Sequence, residues 1–194
     1  MGIPLLEQLM MRLRKVPVRK IKRCMKLVDE AGLDVSCMDL QCQSLAGGDP
    51  EVAVEAMITL QQHGIDAQWM VISALQLTGR DLVESVDLCL EPHETSYDSS
   101  TDGNEPAHHA NCEDGAAVRI RFSFHYTMHL HRIVGSSVDG LNRSMADGVR
   151  RVAGDCPNAR ALLERHDQLR GDMEAGLKSI YRTVEDLSLE LTPC

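Results

Sequence analysis

The stretch AGLDVSCMDLQCQSLAGGD (31–49) returns as HGIDAQWMVISALQLTGRD (63–81), 32 residues further along the chain. Gly32/Gly64, Asp34/Asp66, Met38/Met70, Leu45/Leu77, Gly47/Gly79 and Asp49/Asp81 are identical in register, and Leu33/Ile65 and Leu40/Ile72 are conservative matches. A fixed period of this length marks a structural repeat, one supersecondary unit copied along the chain. Stacked repeats build scaffolds and binding surfaces, whereas catalysis requires groups with different roles to converge on one point.

The unit has a physical reading. Pro17 opens a helix in which Val18, Ile21, Met25 and Val28 recur at three- and four-residue spacing until Gly32 stops it. Ser36 followed by Asp39 is a capping-box signature; it opens a short helix whose apolar face is expected to hold Met38, Cys42 and Leu45. Gly47 and Gly48 end that helix, Asp49 caps the next with Pro50 at its first position, and Val52, Met57 and Leu60 lead to the break at Gly64. Residues 68–78 form another short helix stopped by Gly79, and Asp81 opens a last one through Leu90. Gly32, Gly47, Gly48, Gly64 and Gly79 therefore read as helix stops, and Asp34, Asp49, Asp66 and Asp81 as turn or cap residues. The glycines follow helices and lack a phosphate-loop pattern, so residues 17–91 are expected to be a helical repeat layer without a nucleotide site.

Beyond it the chain changes character. Residues 92–116 (PHETSYDSSTDGNEPAHHANCEDGA) are almost all polar, charged, Gly or Pro and are expected to be a flexible linker. From Val118 the period becomes two, with Val118, Ile120, Phe122, Phe124, Tyr126 and Met128 alternating with Arg119, Arg121, Ser123, His125, Thr127 and His129. That alternation predicts a half-buried strand. Helices are expected over 139–153, 157–165 and 168–178, then a closing strand with Val184, Leu187, Leu189 and Leu191. The expected class is α+β: an N-terminal segment (1–16), the helical repeat (17–91), the linker (92–116) and a strand-helix-strand module (117–194). With only two strands, its sheet is minimal or completed by a partner.

Composition and charge narrow the function classes. Hydrophobic residues make up 43% of the 194, enough for a sizeable core, and aromatics only 3%. The seven cysteines are odd in number and lack CxxC spacing, as for reduced thiols in a cytoplasmic protein. No signal peptide and no apolar run long enough to span a bilayer is legible. The net charge of −9 hides a basic segment in which Arg12, Arg14, Lys15, Arg19, Lys20, Lys22, Arg23 and Lys26 face the single acid Glu7. A basic N-terminus on an acidic body argues against nucleic-acid binding and for a local contact with an anionic membrane or partner. Ile3, Leu6, Met10 and Leu13 fall at helical spacing just ahead of it; they serve either an interfacial helix or the protein's own core.

Histidines supply the one hint of metal chemistry. His125 and His129 share the polar face of the expected strand, His131 would continue it, and His108, His109 and Cys112 lie nearby in sequence. No established zinc spacing is present, so no metal site, cofactor or small-molecule substrate is expected. No nucleophile motif accompanies the cysteines and histidines, which points away from an enzyme.

MRLRKVPVRKI (11–21), AGLDVSCMDLQCQSLAGGDPEVAVEAMITLQQHGID (31–66) and LTGRDLVESVDLCLEP (77–92) resemble, in order and spacing, the region after the membrane segment of bacterial flotillin-like proteins of the FloA type. VRIRFSFHYTMHLHRIVGSS (118–137), LLERHDQLRGDMEAGLKS (162–179) and LSLEL (187–191) resemble the end of that family's SPFH (stomatin/prohibitin/flotillin) domain. The resemblance implies an SPFH-like module at 117–194. It also implies a non-enzymatic, self-associating scaffold of membrane microdomains, peripheral at the inner face of the cell membrane. Where the family has its membrane-embedded segment this chain carries MGIPLLEQLM, and it stops at Cys194 where the family continues into a coiled coil. A soluble adaptor that binds another protein is the alternative expectation, and a metal-binding sensor a third.

Overall fold

The computed structural model describes residues 3–100, 109–133 and 138–194. It is α+β and divides into two compact units, 1–90 and 91–194.

The first unit is an array of paired helices: α1 (Leu5–Leu13), α2 (Val18–Ala31), α3 (Cys37–Leu45), α4 (Pro50–Gln62), α5 (Trp69–Leu77) and α6 (Leu82–Leu90). The first helices of the pairs begin at residues 5, 37 and 69 and end at 13, 45 and 77; the second ones begin at 18, 50 and 82. One step of 32 residues carries each onto the next, so the array holds three two-helix units rather than the two that identity reveals. Residues 1–16, read from sequence as a separate segment, contribute the first short helix. That copy escapes recognition because its turn lacks the glycine of the others: Lys15 takes φ 61° where Gly47 has 92° and Gly79 has 79°. The second helices stack α2 on α4 on α6; Ile21, Cys24 and Val28 of α2 and Ala53, Val54, Met57 and Leu60 of α4 are buried. α4 packs against α2, α3, α5 and α6, so that each repeat meets the next, as in a repeat fold.

The expected apolar face of α3 is corrected. Met38, Cys42 and Leu45 are exposed, and the buried face carries Leu40, Gln41 and Gln43. Burial of two glutamines is tolerated because their amides are paired. Gln41 Nε2 donates to Glu7 Oε1 at 3.0 Å, Gln43 Nε2 donates to Gln76 Oε1 at 2.6 Å, and the Ser73 hydroxyl donates to Gln43 Oε1.

The second unit is a four-stranded antiparallel sheet of β1 (His93–Asp98), β2 (Ala110–Asn111), β3 (Ala117–Met128) and β4 (Tyr181–Pro193), with α7 (Leu130–Ile133), α8 (Val138–Gly154), α9 (Ala159–Glu164) and α10 (His166–Lys178). β3 is central: β1 and β2 pair along one side of it and β4 along the other. Val118, Ile120, Phe122, Phe124, Tyr126 and Met128 are buried as the alternation requires, in a core that also holds Ala146, Val149, Leu169, Met173 and Leu177 of α8 and α10. The sheet is therefore not minimal. The described part of the expected linker, 92–100 and 109–116, supplies two of its strands, while 101–108 lies outside the described residues. β1 (HETSYD) reads as loop because only Tyr97 turns into the core, and its order comes from backbone pairing with Arg121–Tyr126.

A candidate docking surface

α1 leaves its apolar side open. Leu5, Leu6, Leu9, Met10 and Leu13 are all exposed and only Met11 is buried, so the stripe is not consumed by the protein's own core. Leu5 and Leu9 also belong to the stripe, and their i, i+4 spacing with Leu13 is the signal of it in the sequence. The array repeats the pattern. Leu6 and Leu13 are 73% and 71% exposed, and the equivalent pairs are Met38 and Leu45 (both 53%) and Met70 and Leu77 (78% and 45%). Both apolar identities between 31–49 and 63–81, Met38/Met70 and Leu45/Leu77, thus fall at solvent-facing positions, where packing within the array does not require them.

The cations divide into two sets. Lys20 donates to Asp49 Oδ2 at 2.6 Å, Arg23 Nε lies 2.9 Å from Glu51, and Lys26 lies 3.6 Å from Glu30. Arg12, Arg14, Lys15, Arg19 and Lys22 are exposed and make no ion pair among the described residues. The Lys20 and Arg23 pairs fasten α2 to the start of α4, while the Lys26 pair lies within α2; the unpaired set surrounds the end of α1 and the start of α2.

Most of the expected stops and caps hold helix ends. Gly32 is a left-handed cap at φ 65°, and Gly64 follows α4 at 69°. Asp49 caps α4 by accepting from the Glu51 and Val52 amides, and Asp81 does the same for α6 from Val83 and Glu84. Burial opposes the charge of Asp49, but the Lys20 ammonium and those two amides outweigh it and hold the carboxyl below its ordinary value. Ser36 and Asp39 form a complete capping box. Gly48 has a different role: a Cβ there would stand 2.6 Å from Gln76 Oε1. It admits the buried amide network, in which Gln76 also exchanges hydrogen bonds with the Asp49 backbone. Asp34 and Asp66 cap nothing; they are exposed in the connections before α3 and α5, whose N-caps are Ser36 and Gln68.

The histidines do not converge. His125 is in β3 with Nδ1 3.6 Å from Asp186 Oδ2, His129 follows the strand, and His131 is in α7 rather than on the strand face. The His129 and His131 rings stack with centroids 5.3 Å apart, and burial together with the His131 charge lowers the His129 pKa. His109 Nδ1 lies 3.8 Å from Cys194 Sγ, and His108 lies outside the described residues. Among the described residues no group of three His, Cys, Asp or Glu side chains is placed to hold a metal ion, and no helix is long and apolar enough to cross a membrane.

A family model described as "Flotillin-like protein FloA" matches residues 1–186. The flotillin-like protein FloA of Parabacteroides distasonis is 26% identical over 182 residues, covering 90% of this chain and 53% of its own length. That of Desulfosudis oleivorans is 26% identical over 191 residues, covering 97% and 56%, and that of Alkaliphilus metalliredigens 27% over 161 residues, covering 82% and 46%. The chain spans about half the length of these relatives, and no solved structure matches it. With the family model matched from the first residue into β4, this chain belongs to the FloA family of flotillin-like proteins.

Proposed function

We propose that this chain is a non-catalytic scaffold module of the flotillin-like type, with an SPFH-like second unit, and that it docks through its helical array on an anionic membrane surface at the cytoplasmic face. The observation that carries the reading is the ladder of exposed apolar pairs, Leu6/Leu13, Met38/Leu45 and Met70/Leu77, beginning beside five unpaired cations. Apolar side chains seated at a headgroup boundary contribute roughly 1 to 2 kcal/mol each, and each cation near an anionic surface about 1 kcal/mol. The combination binds reversibly and responds to salt.

The test is co-sedimentation with vesicles. The full chain is expected to pellet with vesicles rich in anionic lipid and not with neutral ones, and Leu6→Glu with Leu13→Glu is expected to reduce pelleting about tenfold or more. Equal, negligible pelleting with both vesicle types removes the membrane reading. A protein-binding adaptor is the second reading, favoured by the ladder's extension beyond the basic segment to Met70 and Leu77. In that case the same leucine substitutions leave vesicle binding untouched, and the Met70→Glu/Leu77→Glu variant loses self-association or partner binding in sedimentation-velocity experiments.

A further inference from the structure

The connections that precede α3 and α5, equivalent across the repeat, meet at one cleft of about 500 Å³ that runs along the end of α4. Its volume falls in the range of small-ligand sites. Asp34 comes from the first connection and Asp66 from the second, at identical repeat positions. Neither carboxylate has an ion pair or a hydrogen bond among the described residues, and no Lys or Arg lines the cleft. The apolar lining is Leu33, Met57, Ile65, Ala67 and Trp69, and Trp69 is the single tryptophan of the chain. It stands where the other two repeats carry Leu5 and Cys37, so the repeat fold does not demand an indole there.

Two uncompensated negative charges beside an indole in a partly enclosed space are complementary to one class of group. An organic cation gains Coulomb attraction from both carboxylates, and the aromatic face adds about 0.5 to 2 kcal/mol while tolerating the methyl or methylene groups around the charge. A small hydrated inorganic ion would gain nothing from the apolar wall. We propose that this cleft binds an organic ammonium group, carried either by a free amine or by an amine-bearing lipid headgroup. The ammonium sits between Asp34 and Asp66, and its carbon substituents lie against Trp69, Leu33 and Ile65. The cleft is separate from the apolar ladder, and the proposal does not depend on membrane docking.

Trp69 makes the site its own reporter. The full chain is titrated with choline and, in parallel, with 3,3-dimethylbutan-1-ol, which has the same shape without the charge. The expected result is a saturable change in tryptophan emission with choline, at least about tenfold weaker with the alcohol, weakened by added salt and lost in the Asp34→Asn/Asp66→Asn variant. Both substitutions are at exposed residues without structural bonds, so circular dichroism of the variant is expected to match the parent. No saturable change with choline, an equal response to the alcohol, or an unaltered response in the variant overturns the proposal. Anionic vesicles with and without phosphatidylethanolamine separate the two sources. An emission change that requires the ethanolamine lipid assigns the site to a headgroup, and a response to choline with no such difference assigns it to free amines.

Discussion

Lys15 holds the backbone position that Gly47 and Gly79 hold in the later repeats, and at φ 61° it is one of only two non-glycine residues with positive φ among those described. A side chain in this region costs of order 1 kcal/mol, which glycine avoids at the expense of a more flexible unfolded chain. Lys15→Gly is therefore expected to raise the stability of the array by about 0.5 to 1 kcal/mol in urea denaturation, while removing one of the five unpaired cations. Gly48 behaves in the opposite sense. Its partners are the buried Gln43 and Gln76 amides, so Gly48→Ala must displace at least one hydrogen bond that water cannot replace, at a cost of about 1 to 3 kcal/mol. A midpoint unchanged in the same denaturation experiment would show that the network yields without cost. The two glycines of the Gly47-Gly48 pair look alike in sequence; one is required by its torsion and the other by its neighbours.

Among the elements, β1 depends most on its surroundings. At its end Asp98 accepts from Arg119 at 2.9 and 2.5 Å, from Arg121 at 3.1 Å and from the Ser100 amide at 2.9 Å. The Arg119 guanidinium, reinforced by Ser100 and Arg121, holds this carboxyl far below the usual carboxylate range despite its partial burial. A depressed folded-state pKa contributes stability that is complete above the unfolded value of about 4 and is lost as the pH falls below it. Thermal melts of the wild type are expected to fall between pH 5 and pH 2, and Asp98→Asn to melt lower at pH 7 and to flatten that slope. An identical slope in the variant would place the acid sensitivity elsewhere. The opposite edge strand, β4, shows why apolar spacing in strands needs a structural reading. Val184 and Leu187 differ in parity, and the change is absorbed by the register shift opposite Phe124 and by Asp186 at φ 53°.

At the scale of the molecule, each unit has its own core. Residues 1–90 bury Ile21, Leu40, Leu60, Ile72 and Leu75 among themselves, as repeat arrays do through contacts with the next repeat. A fragment of residues 1–90 is expected to retain helical circular dichroism and to unfold cooperatively, and a fragment with coil-like spectra would show that the array needs the rest of the chain. The sequence alone determined the period of 32 residues, the helix stops and caps, the half-buried strand β3 and the basic N-terminal segment. Each is written in local terms: side-chain periodicity, a glycine at positive φ, a carboxylate one turn before free amides. Tertiary structure decided what local pattern cannot hold. It made strands of polar residues 93–98 and 110–111 by pairing them with β3, and gave α1 its place as a third repeat despite Lys15. It buried Gln43 while exposing Met38 and Leu45, and brought Asp34, Asp66 and Trp69 to one cleft. In each case the outcome rests on a partner supplied from another part of the chain, since a hydrogen bond or a packed face is a property of two surfaces and only one of them is present in any local stretch of sequence.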